Sequence, residues 1–149
     1  MNATTTVRAA LSWLAIAGPL PWHRFQLGTA LGLRPVFLLT GPSPRGGRAP
    51  LLRTDEHQRS WAYAFSESER PERLGWLAEL RATRLRPQLG VDLLAWAEQS
   101  GVGVVLDEGT PLRFAIPPEQ VQAYRVAAEY TGIAAARTLA AAEPLKRSA

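Results

Sequence analysis

The sequence predicts an α+β domain: a mixed sheet of about five or six strands, helices packed mainly on one face, and a long C-terminal helix. Three observations carry this. Residues 90–118, GVDLLAWAEQSGVGVVLDEGTPLRFAIPP, read as helix, apolar strand, turn and second strand in direct succession. The runs PVFLLT (35–40) and VGVVL (102–106) are short, uninterrupted and apolar, which suits strands covered on both faces. Segments of helical periodicity stand before, between and after the strands.

Taken in order, 4–17 reads as a helix with Val7, Leu11 and Leu14 on one face, ended by Gly18-Pro19. A second helix spans 22–33, with Phe25, Leu27 and Leu31 apolar. The first strand, 35–40, runs into a loop by composition, GPSPRGGR (41–48). Residues 50–53 and 60–65 read as strands pairing as a hairpin across a charged turn. Ser66 and Glu69 have capping-box spacing, or Ser68 caps a turn later, ahead of a helix striped by Leu74, Leu77 and Leu80. Residues 83–88 form an edge strand, because Pro87 lacks a donor for a second ladder. Val91, Leu94 and Ala95 mark the helix of the central stretch, stopped by Gly101. Gly103 inside the next strand marks a bulge or a close backbone approach. Asp107 to Pro111 is turn chemistry, with Gly109 at the positive-φ position. Leu112, Phe114 and Ile116 alternate with Arg113 and Ala115, one face buried and one wet. Pro117-Pro118-Glu119 then opens a helix over 118–142, and 143–149 reads as a flexible basic tail on a single domain of 1–142.

The 149 residues suffice for one domain with a sizeable core, and 46% hydrophobic with 20% charged residues is an ordinary globular balance. With no cysteine there is no disulfide framework and no thiolate site, which fits a reducing cytoplasm. The apolar run 9–20 reads as a core helix, not a leader, and no run reaches the length of a membrane span. The net charge of +4 is unevenly spread: residues 1–54 carry six arginines and no Asp or Glu. That asymmetry favours an acidic partner, although scattered arginines also serve as plain solvated surface.

The order of features around the central stretch resembles the N-terminal domain of the SseB-type (enhanced serine sensitivity) family. VGVVLDEG followed by LRFAIPPEQV stands where that family has an apolar strand, an Asn-Pro-Gly turn and a strand running into Pro-Pro and a helix. AYAFSESERPERLGW is similar to its strand, Phe-Thr-Ser segment and following helix. The likeness covers roughly residues 7–125, and Asp107-Glu108 depart from it by replacing Asn-Pro at the turn. It implies a standalone, non-catalytic interaction or accessory module of the bacterial cytoplasm.

The residues themselves offer no reaction centre. His23 and His57 are isolated, and the acids Asp92, Glu98, Asp107 and Glu108 show no paired environments of the kind acid–base catalysis needs. No metal, cofactor or catalytic residue is assigned, and Gly101 and Gly103 follow a helix where a phosphate fingerprint would open one. The partner-binding candidates are the turn Asp107, Glu108 and Gly109, the loop arginines Arg45 and Arg48, and the edge-strand pair Arg84 and Arg86. Arg84 and Arg86 share a face and also serve to blunt the edge. The expected partner is another protein, with a homodimer through the C-terminal helix as one form. Two alternatives stand beside this: an antidote or secretion-locus accessory whose Asp107-Glu108 turn meets a basic toxin, and a nucleic-acid-binding regulator. The latter is disfavoured by the lack of a basic helix or aromatic stacking motif.

Overall fold

The computed structural model describes residues 6–18, 20–69 and 83–130. The expected helix around Leu74–Leu80, the C-terminal helix beyond Tyr130 and the basic tail lie outside the described residues.

The chain opens with α1 (Val7–Ala17) and α2 (Pro21–Leu33). Helix α1 starts later than Thr4 because Thr6 is its cap: the Thr6 hydroxyl accepts from the Ala9 amide at 3.0 Å. Then come β1 (Pro35–Pro42), β2 (Arg48–Pro50), β3 (Leu52–Thr54), β4 (Ser60–Phe65), β5 (Arg84–Leu89), α3 (Gly90–Ser100), β6 (Gly103–Leu106) and β7 (Phe114–Ile116). A 3-10 turn, Pro118–Gln120, leads into a helix, α4, described over 121–130. The long helix expected from 118 therefore begins one tight turn late. No helix among the described residues is long and apolar enough to cross a membrane.

The sheet is mixed and has seven strands among the described residues, more than the five or six expected. The backbone of the five-strand order is β5-β1-β4-β6-β7, all antiparallel except β4 with β6. The surplus arises between β1 and β4. These two pair only at Phe37–Phe65 and Leu38–Ala64, then diverge. Strand β2 pairs with the free end of β1 and β3 with the free end of β4, so the chain turns sharply at Leu51. The Leu51 amide donates to the Leu39 carbonyl at 3.0 Å, pinning the vertex in the fork. The loop expected over 41–48 thus gives up its ends to strand, Gly41 and Pro42 to β1 and Arg48 to β2, because each finds a ladder partner there.

Strand alternation sends Val36, Leu38, Ala62, Ala64, Val104 and Leu106 to one face, under Leu11, Leu27, Leu31, Leu93, Leu94 and Val121. This is the main core, and the described helices lie on this side. On the other face Leu39, Tyr63, Phe65 and Val105 form a smaller cluster with Leu51, Trp61 and Leu85. β6 is buried throughout, as its unbroken apolar run predicts.

Three glycines decide how tightly the helices sit. A Cβ on Gly28 would stand 2.7 Å from the Ala127 Cβ, and one on Gly32 would overlap the Ala128 carbonyl. A Cβ on Gly90 would come within 2.8 Å of the Leu31 Cα. Gly28-xxx-Gly32 thus lets α2 and α4 touch backbone to backbone. Gly103 is the close approach expected: its missing Cβ leaves room for the Trp61 ring.

Candidate interaction site

The turn after β6 is built from the inside. Asp107 takes a left-handed conformation (φ 53°), which Asp tolerates better than most residues, and Gly109 follows at φ 79° as the turn type demands. The Asp107 amide donates to the Ala64 carbonyl at 2.9 Å. Its carboxylate, in a residue 4% exposed, accepts the Ser66 amide and the Ser66 hydroxyl, both at 2.7 Å. Asp107 therefore clamps the ends of the parallel strands β4 and β6, and Ser66, expected in a capping box, gives its hydroxyl to that clamp. Glu108 is ion-paired with Arg113 at 2.8 Å. The two negative charges read from the turn are thus held within the fold rather than offered outward.

The arginines are sorted differently. Registers Thr40–Arg84, Leu38–Arg86 and Pro42–Arg48 put Arg48, Arg84 and Arg86 on the same sheet face, across β1. Arg48 donates Nε to the Thr40 hydroxyl at 3.1 Å and a terminal nitrogen to the Thr40 carbonyl at 2.9 Å. The Thr40 hydroxyl in turn donates to the Arg84 carbonyl at 3.1 Å. Arg45 sits apart at the exposed tip of the β1–β2 connection. The strand pairing thus gathers three of the four loop and edge arginines, which lie far apart in sequence.

On the face away from the helices a groove of about 490 Å³ is lined by Arg53, Asp55, Trp61, Tyr63 and Arg113. Its polar groups are engaged with one another. Asp55 accepts Trp61 Nε1 at 2.9 Å and the amides of Arg59 and His57, and these bonds lower its pKa from 3.8 to about 2. Burial, reinforced by the Glu108 charge, holds the Tyr63 phenol above its ordinary value, against the hydrogen bond from Arg53.

No family model, no characterised protein and no solved structure matches this chain.

What the surface shows most plainly is apolar. Trp13, Ile16, Leu20, Trp22 and Phe25 are all exposed, Ile16 by 80% and Trp22 by 54%. They stand at the corner where α1 hands over to α2. The Trp13 and His23 rings stack at 6.2 Å with their planes nearly parallel, and Trp22 stacks with Phe25 at 6.4 Å. Val126 and Tyr130 add an exposed pair one turn apart on α4. As sequence, the run 9–20 reads as a core helix, and its Trp13, Ile16 and Leu20 are exposed instead. The signal that separates it is phase: Trp13 and Ile16 fall off the Val7–Leu11–Leu14 stripe.

Proposed function

We propose that this chain is a non-catalytic protein-protein interaction module of a bacterial cytoplasm, docking through the α1–α2 corner. The observation that supports it is the exposed group Trp13, Ile16, Leu20, Trp22 and Phe25. Soluble domains seldom leave several large apolar side chains together in water, and Trp is among the residues that anchor interfaces. Burying the exposed part of each such side chain favours association, by less than the about 1.5–3 kcal/mol of a fully exposed one because they start 44–80% exposed. The non-catalytic part of the reading draws on the engagement of the acids: Asp55, Glu98, Asp107 and Glu108 each serve a hydrogen bond or ion pair that holds the fold. The antidote alternative relied on Asp107 and Glu108 presenting free charge, and the regulator alternative gains no observation of its own.

The test compares capture from the native host's lysate by the wild type and by a Trp13→Ala/Trp22→Ala variant with the same circular dichroism spectrum. A specific protein recovered by the first and lost by the second is expected. Equal capture by both, or none alongside turnover of a small molecule, overturns the reading.

A further inference from the structure

The contacts of the two glycines fix the relative direction of α2 and α4. Gly28 meets Ala127 and the Tyr124 carbonyl, Gly32 meets Ala128, and Arg24 shares a cleft with Gln120. Positions rise together, so the two helices run in the same general direction, and both N-terminal ends lie at the Arg24–Gln120 end. There the helices part around a cleft of about 270 Å³, lined by Arg24, Phe25, Gln120, Ala123, Tyr124 and Ala127.

This cleft is electropositive by construction. Helix α2 has no side-chain cap and no acid in its first turn, so its own first turn supplies nothing to offset the free amides and the positive end of its dipole. The 3-10 turn leading into α4 also lacks a side-chain cap, and its one acid, Glu119, leans 3.6 Å from Arg59. Arg24 brings a full positive charge, with its Nε buried and without a hydrogen-bond partner among the described residues. Tyr124, only 5% exposed, has a hydroxyl likewise buried and unpartnered. A buried hydroxyl without a partner costs the fold stability, a cost that an acceptor on a ligand in the cleft would offset. The remaining walls, Phe25, Ala123 and Ala127, are apolar.

We propose that this cleft binds a monocarboxylate with a compact apolar body, its carboxylate held by Arg24 and the Tyr124 hydroxyl and its body against Phe25, Ala123 and Ala127. One guanidinium balances one charge, whereas a phosphate ester would set a second charge against apolar walls. The same chemistry is offered by a free acid and by the C-terminal residue of a polypeptide ending in an apolar side chain. This site is distinct from the corner surface in what it recognises, although Phe25 borders both.

The test titrates the intact chain with 3-phenylpropionate, 3-phenylpropanamide, phenyl phosphate, and a short peptide ending in Phe as the free acid or the amide. Binding is followed by amide resonances and calorimetry. The carboxylates are expected to shift resonances of residues 24–28 and 120–127, with the amides and the phosphate weaker by on the order of tenfold or more. Arg24→Gln is expected to weaken the acid about tenfold and Tyr124→Phe several-fold. Tyr124→Phe removes only an unpartnered oxygen, so it should melt no lower than the wild type, which separates loss of binding from loss of fold. Binding of the peptide acid alone assigns the site to chain termini, and binding of both acids assigns it to their shared chemistry. Acid and amide binding equally, or Arg24→Gln leaving affinity unchanged, overturns the proposal. Trp13→Ala alone, which leaves the Trp22–Phe25 stack in place, should leave acid binding intact, so failure at the corner and failure at the cleft are told apart.

Discussion

Replacing Gly32 by alanine probes the contact on which the α2–α4 packing depends. The added Cβ would overlap the Ala128 carbonyl oxygen and stand 2.9 Å from its carbonyl carbon. Both atoms are backbone, so relief requires moving a whole helix. Overpacking of this kind costs about 1–3 kcal/mol, and the severity of the overlap puts it in the upper half of that range. Against it stands a gain of about 1 kcal/mol from the better helix propensity of alanine. The expected net loss is therefore about 1–2 kcal/mol. Urea unfolding followed by circular dichroism measures it, as a lower midpoint at unchanged slope. Gly28 gives the internal control. Its clash is with a side-chain atom, the Ala127 Cβ at 2.7 Å, with the Tyr124 carbonyl at an ordinary 3.6 Å. Gly28→Ala should thus be rescued by Ala127→Gly, with a coupling of about 1 kcal/mol or more in the double-mutant cycle. Gly32→Ala should not be rescued by Ala128→Gly. A Gly32→Ala protein as stable as the wild type, or rescued by Ala128→Gly, would refute the packing argument.

Asp107→Ala leaves the Ser66 amide and hydroxyl without their acceptor and places alanine at φ 53°, for an expected loss of about 3 kcal/mol. Asp107→Asn keeps one acceptor and should lose less than half of that; the clamp is wrong if alanine costs under about 0.5 kcal/mol in urea unfolding. For Asp55 the folded-state pKa lies below the ordinary value, at about 2 against 3.8, so its contribution is complete above the unfolded value and fades as pH falls through the folded one. The stability gap between wild type and Asp55→Asn should hold steady above roughly pH 5 and close toward pH 2, read from melting temperatures across that range. Arg125 pairs with Glu98 of α3 and with Glu129 at 2.7 Å on its own helix, and both bonds raise its pKa. Arg125→Met should lower the melting temperature slightly at low salt, and the difference should shrink as sodium chloride is added.

Much of the architecture was legible in the residues. The edge position of 84–89 followed from Pro87, the positive φ of Gly109 from the turn, and the close approach at Gly103 from a glycine in a buried strand. The hairpin of β3 with β4 was legible too, in the alternating run 60–65 and the charged turn before it. The fork at Leu51 was not, because β2 is three residues long and becomes strand only along the diverging end of β1. Asp107 was misplaced for a related reason. A polar residue in a turn reads as exposed, and only the parallel pairing of β4 with β6 brings Ser66 within reach of its carboxylate. The cleft between α2 and α4 was invisible for want of the helix pairing itself, although Gly28 and Gly32 one turn apart carried its spacing.

The parallel pairing of β4 with β6 also bears on how the chain comes together during synthesis. After β4 the polypeptide travels to the opposite rim as β5, crosses back through α3, and only then supplies the strand that lies beside β4. Hairpins such as β1–β2 and β3–β4 close locally and fast, but this ladder has to wait for a long excursion, with the loop-closure entropy that entails. While residues 103–130 are still inside the ribosome, Leu11, Leu27 and Leu31 lack the part of their core that Val104, Leu106, Val121 and Tyr124 supply. A nascent chain arrested before Gly103 would therefore expose a sticky underside, the stage at which a holdase chaperone has most to protect.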